Sequence, residues 1–220
     1  MDSSLVKRYI RKGIPSSLRG RVWLHYTGTE AVMKKHPERY MKLLNVSSDH
    51  KYLATRELIE RDLHRTFPEN IQFKGQGDSR HAQSQDKMVE ASLVPMLRKL
   101  RRVLTAFAIR NPSIGYCQSF NFIAGIFLLF MSEEEAFWML CTVVERIMPE
   151  GMYSVTMEGA TMDQEVLMGL IQDRMPKVWN VLAGAEEVPP LSLVTSHWFL
   201  TLYTDVMPVE SALRVWDCMF

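Results

Sequence analysis

The chain has 220 residues, 47% apolar and 23% charged, with a formal net charge of +1. This suits one large globular domain with a sizeable core, and the near-neutral balance leaves no overall footprint for nucleic acid or an anionic membrane. Its cysteines, Cys117, Cys141 and Cys218, are far apart and form no CxxC pair, so the expectation is a reducing, cytoplasmic setting with no disulfide or zinc framework.

The N-terminal "MDSSLVKRYIRKG" lacks the apolar core of a signal peptide. Helical periodicity predicts helices over 18–36, 48–67, 86–110, 118–131, 132–148, 162–173, 174–183, 191–206 and 208–220, with no convincing period-two strand. The expected fold class is therefore all-α. Turn chemistry in "FPEN", "RNPSIG", "MPEG" and "AGAEEVPP" separates the helices.

Within 48–67, Tyr52, Ile59, Leu63 and Phe67 share one stripe and should face the core. Arg56 interrupts that stripe and is expected to snorkel. Arg65 points to the opposite side, with Asp62 three residues earlier as a possible ion-pair partner. From this pattern alone it reads first as a surface charge suited to the helix dipole, with a functional role as the alternative.

A polar connector at 74–86, "KGQGDSRHAQSQD", contains GQG but neither GxxxxGK[ST] nor a preceding strand, so it reads as an insertion rather than a phosphate cradle. In 86–110 the apolar stripe is Leu93, Leu97, Leu100, Leu104 and Phe107. Its other face carries Arg98, Lys99, Arg101, Arg102 and Arg110, a solvated face or a surface for an acidic partner.

Pro112 and Gly115 break that helix. Gln118 is then expected in the first turn of the most apolar one, as a structural cap or buried hydrogen-bonding group, or as an exposed functional amide. The run "FNFIAGIFLLFM" at 120–131 is shorter than the roughly 18 residues a membrane span needs, so a buried core helix is expected. "SEEEAF" reads as a charged opening turn, and "MDQE" as lying near an N-cap around Thr161 and Asp163. The last pattern, "SALRVWDCMF", stops on Phe220 without a cap, which suggests a fragment boundary.

Self-contained chemistry finds little support. The sequence has no GxSxG elbow, and its six histidines form no HExxH or similar ligand pair.

Five segments in order carry a resemblance. "LRGRVW" contains an RGxxW signature with Arg19, Gly20 and Trp23, "IERDLHR" fits IxxDxxR with Ile59, Asp62 and Arg65, and "YCQ" fits YxQ with Tyr116 and Gln118. "EEEAFWML" follows, and then "SHWFLTLYTDVMP" with "ALRVWD". Together they resemble the TBC-domain family of Rab GTPase-activating proteins, from about residue 10 to the end. The resemblance implies an all-helical TBC fold over residues 1–220, continuing beyond the chain end in a full-length protein. It also implies acceleration of GTP hydrolysis by a GTP-bound Rab-family small GTPase.

On that resemblance Arg65 enters the partner's nucleotide site, and Gln118 replaces the partner's own glutamine in orienting the attacking water. Asp62 would orient Arg65, and Tyr116 would fix the turn that presents Gln118. Ile59, Arg19 and Trp23 would support the fold. GTP and Mg2+ would belong to the partner, with no cofactor of this chain's own, no nucleic acid and no direct membrane insertion. Any visit to endomembranes would run through partners. A catalytically weak Rab-binding or scaffolding module in membrane traffic is the alternative. One departure concerns the site: the family commonly follows YCQ with Gly-Met, whereas this chain has Ser119 and Phe120. The β-carbon of Ser119 would restrict the backbone beside Gln118.

Overall fold

A computed structural model describes residues 3–74, 94–184 and 191–220. Among the described residues there are twelve α-helices and no strand. They are α1 (Ser3–Lys12), α2 (Ser16–Tyr26), α3 (Thr29–Lys35), α4 (Arg39–Asn45), α5 (Leu53–Leu63), α6 (Pro95–Arg110), α7 (Phe120–Phe130), α8 (Glu133–Thr142), α9 (Glu158–Arg174), α10 (Pro176–Gly184), α11 (Leu191–Leu200) and α12 (Val209–Met219). A 3-10 turn, His50–Tyr52, leads into α5, and a π-helical segment, Val143–Ile147, extends α8.

The core follows from where the apolar residues fall. Helix α7 is apolar nearly all round, so it is buried from Phe120 to Leu128. Helix α6 packs on α5, α7 and α8, burying Leu97, Leu100, Leu104 and Phe107 as the stripe predicts. Ile59 and Leu63 of α5 are fully buried, whereas Tyr52 and Phe67 are only partly so. Arg56 is half-buried and donates from Nη1 to the Ser47 carbonyl at 3.2 Å.

Several expectations are corrected. The predicted helix 18–36 is two, because Gly28 turns left-handed at φ 72 between α2 and α3. Helices α1 and α4 form where none was expected. The helix predicted over 191–206 stops at Leu200, and Leu202 and Tyr203 adopt φ 51 and 67 just beyond it. Thr161 and Asp163 lie inside α9, which starts at Glu158. The connector beyond Lys74, and the predicted start of 86–110 with Leu93, lie outside the described residues.

The basic face of α6 is largely spoken for within the fold. Arg101 pairs with Glu60 at 2.5 Å, Arg110 with Glu145 at 2.9 Å, and Arg102 with Glu133. Glu133 also accepts a 2.5 Å hydrogen bond from Tyr40, joining α4, α6 and α8. Burial would raise the Glu133 carboxyl, but Arg102 and Tyr40 outweigh it and hold the group below its usual range. Glu135 closes a capping box with Ser132. The acidic opening of α8 is thus structural.

Candidate functional site

Arg65 lies two residues past the end of α5, in the turn that follows it. Its side chain is 47% exposed, and Nη2 lies 2.5 Å from Asp62 Oδ1. Asp62 is buried, with its side chain 6% exposed. A guanidinium has five N–H donors in a rigid fork, and it is the Nη2 end of Arg65 that meets the carboxylate.

Gln118 lies two residues before α7, in the turn that begins the helix. The amide is exposed and makes no hydrogen bond to the described residues, so the capping or buried alternative does not hold. It borders a cavity of about 490 Å³ whose walls include Tyr116, Cys117, Tyr153, Met157 and His197. Ser119 sits at φ −139, which lies outside the left-handed region, so its β-carbon adds no strain of the kind that calls for glycine. Phe120 is fully buried and sets its ring edge-on to Phe107 at 5.0 Å and Tyr153 at 4.8 Å. The turn carrying Gln118 is therefore anchored by Phe120, one of the two residues that depart from the family pattern.

The two segments are bonded to each other. The Tyr116 hydroxyl donates to Asp62 Oδ2 at 2.5 Å. Burial, and then this bond to a carboxylate, push the Tyr116 hydroxyl well above its usual range, so it remains a donor at neutral pH. Burial likewise raises the Cys117 thiol. One turn further along, Asn121 Nδ2 donates to Thr66 Oγ1 at 2.9 Å, and Thr66 Oγ1 donates to the Asp62 carbonyl at 2.8 Å. Both Thr66 and Asn121 are buried. Phe67 then turns to φ 47 and packs its ring on Phe73 and Phe122, each at 5.6 Å.

Close approach at this point needs a glycine. A β-carbon on Gly125 would lie 2.9 Å from the Phe67 ring and 3.2 Å from Thr66 Cγ2. Sequence reasoning missed Thr66, Asn121 and Gly125. The available signal was an asparagine in the otherwise apolar "FNFIAGIF", since a buried amide must find a partner.

The other named residues lie elsewhere. Ile59 is a core residue of α5. Arg19 and Trp23 meet through Asp217: Arg19 Nε and Trp23 Nε1 donate to Asp217 Oδ1 at 3.0 and 3.1 Å. Asp217 Oδ2 accepts from Arg19 Nη2 and from the Ile14 N–H, both at 3.1 Å. All three side chains are buried, so this cluster braces α2 against α12.

An all-helical fold presents an exposed amide and a half-exposed arginine on cross-bonded segments, and the Rab-GTPase-TBC domain family model matches residues 16–220. The chain belongs to the Rab-GTPase-TBC domain family. It is 35% identical to the GTPase-activating protein GYP3 of Saccharomyces cerevisiae, over 99% of this chain and 38% of that protein. It is 39% identical to human growth hormone-regulated TBC protein 1, over 99% of this chain and 59% of that protein. The chain thus spans between about two-fifths and three-fifths of these relatives' length. Its fold superposes on a flagellar RabGAP TBC domain from Chlamydomonas with TM-score 0.78 and 26% identity, covering 99% of this chain and 66% of that one.

Proposed function

We propose that this protein accelerates GTP hydrolysis by a Rab-family small GTPase, with Arg65 and Gln118 as catalytic residues supplied in trans. The observation that carries the reading is an outward-facing arginine and an unbonded, exposed glutamine held on two segments that are hydrogen-bonded to each other.

The residue types suit the chemistry. Negative charge develops on the phosphoryl and leaving oxygens, and a delocalised, permanently charged guanidinium stabilises both. Such a group is worth roughly 10³–10⁵ in rate, or about 4–7 kcal/mol. Asp62 holds the Nη2 end of Arg65, leaving the remaining N–H groups for the partner's phosphates. The amide of Gln118 donates and accepts at once, so it can hold water against the γ-phosphate. GTP and Mg2+ are supplied by the GTP-bound partner. Cytoplasmic placement, with endomembrane contact through partners, follows from this reading. Among the described residues no helix is long and apolar enough to cross a membrane.

The test is single-turnover GTP hydrolysis across a panel of purified GTP-loaded Rab proteins. Arg65→Ala should lower the stimulated rate by about 10³ or more, and Arg65→Lys should recover little, because lysine lacks the planar fork. Gln118→Ala should cost on the order of 10². Helical circular dichroism should be unchanged in all three. Equal rates with and without the protein for every Rab would sink the reading.

A further inference from the structure

We propose that the buried Thr66–Asn121 hydrogen bond is a positioning element of this site, fixing the placement of Arg65 relative to Gln118. The inference rests on the functional reading above and adds residues that the reading does not use.

The geometry is that of a ladder with two rungs. Asp62 and Thr66 stand on either side of Arg65, and Tyr116 and Asn121 on either side of Gln118. Asp62 is bonded to Tyr116 at 2.5 Å, and Thr66 to Asn121 at 2.9 Å. With either rung alone, one segment can pivot about a single point. With both, the two turns keep their relative orientation.

The direction of the second rung is determined by its surroundings. The Thr66 hydroxyl proton is used on the Asp62 carbonyl, so Thr66 can only accept from Asn121, and the amide must present its NH₂. This leaves Asn121 Oδ1 buried with no hydrogen-bond partner. An apolar residue would avoid that unsatisfied oxygen in the middle of an apolar helix. The amide is therefore a costly choice for packing and a useful one for tying two turns together.

The neighbourhood is shaped around the same contact. Gly125, one helical turn beyond Asn121, leaves the space in which the Thr66 methyl and the Phe67 ring sit. Phe67 is held at φ 47, a conformation rare for a residue with a side chain. Its ring packs edge-on against Phe73 and Phe122.

The experiment measures stimulated single-turnover hydrolysis by the most responsive Rab of the panel, resolved into kcat and KM, with melting temperature alongside. Asn121→Ala and Thr66→Val should each lower kcat by about ten- to a hundred-fold, the scale of a misplacement near 1 Å, while KM shifts less than about two-fold, as expected when only transition-state geometry is lost. The double variant should be little worse than Thr66→Val alone, because both substitutions break the same Asn121–Thr66 bond. Thr66→Ser, which keeps the acceptor oxygen, should restore most of kcat. In an Arg65→Ala background, Asn121→Ala should cost almost nothing further, because there is no arginine left to place.

A purely structural role predicts the opposite: equal loss in both backgrounds, tracking the melting temperature. That result overturns the inference, as does full kcat in both Asn121→Ala and Thr66→Val while Arg65→Ala is inactive. If Asn121→Ala does not fold, Thr66→Val against Thr66→Ser decides. No acceleration of any Rab by the unchanged protein overturns the inference together with the functional reading.

Discussion

Asp62 illustrates how much one buried carboxylate can organise. One oxygen faces Arg65, the other accepts from Tyr116, and its backbone carbonyl accepts from Thr66. Asp62→Asn keeps the shape but removes the charge that holds Arg65, and its amide NH₂ cannot accept from either donor. It should lower stimulated kcat by about ten-fold or more through misplacement of the arginine, read in the same single-turnover assay. Tyr116→Phe leaves a buried carboxylate oxygen without its donor and should cost about 1–3 kcal/mol in urea unfolding. The tyrosines also set an alkaline limit. Burial, first of all, raises the hydroxyls of Tyr40, Tyr116 and Tyr153. The unfolded chain ionises near the ordinary tyrosine value of about 10 while the folded one does not. Their contribution is therefore complete below that pH and lost as pH rises toward the folded values. Tyr116→Phe should show a shallower alkaline decline in stability than the parent, measured by urea unfolding at a series of pH values.

Among the helices, two glycines allow close approach in different ways. A β-carbon on Gly20 would meet the Phe130 carbonyl oxygen at 2.2 Å, where α2 crosses the end of α7. Backbone cannot swing aside as a side chain can, so Gly20→Ala should cost about 3 kcal/mol or more in urea unfolding, the upper end for overpacking. At Gly125 the nearest atoms belong to the Phe67 ring and the Thr66 methyl. These can move, so Gly125→Ala should cost less stability, about 1–2 kcal/mol, and proportionately more activity because the turn next to Arg65 shifts. The same distinction explains what was legible in the sequence. Ile59, Leu63 and the α6 stripe could be placed because any apolar surface satisfies them. Arg65 is exposed, as the stripe over 48–67 suggested, but it stands in the turn past α5 rather than on the helix, and its role rested on family motifs. The end of α11 was not legible. Its left-handed exit at Leu202 and Tyr203 is held from a distance, by Trp216 Nε1 donating to the Leu202 carbonyl at 2.9 Å. The pairings of Arg101, Arg102 and Arg110 were hidden for the same reason, since Glu60, Glu133 and Glu145 belong to other elements or segments of the fold.

Across the whole molecule, the start and end of the chain are joined by one buried carboxylate. Asp217 on α12 receives Arg19, Trp23 and the Ile14 N–H, residues roughly 200 positions away in sequence. Around it Trp23, Phe127, Trp216 and Phe220 pack as an aromatic cluster with centroid separations from 5.2 to 6.2 Å. Arg19 adds its guanidinium 5.5 Å from the Phe130 ring. Burial opposes the charge on Arg19, but Asp217 and Glu210 outweigh it and hold the group above its usual value. The energetic consequence is asymmetric. Asp217→Ala leaves the buried guanidinium with only the exposed Glu210 and strands an indole N–H and a backbone N–H, and should destabilise by about 3–5 kcal/mol. Replacing both charges, with Arg19→Met and Asp217→Leu, removes the buried cation that has lost its buried partner and fills the space. The double variant should therefore be more stable than Asp217→Ala, because most of the single loss is the penalty of an unpaired charge rather than the net worth of the pair. Urea unfolding of the parent, the two single variants and the double variant forms the cycle. A double variant as unstable as Asp217→Ala would mean that the Trp23 and Ile14 bonds, which both variants lose, carry the joint. The brace lies apart from Arg65 and Gln118, so catalytic loss in any of these variants should follow the folded fraction alone.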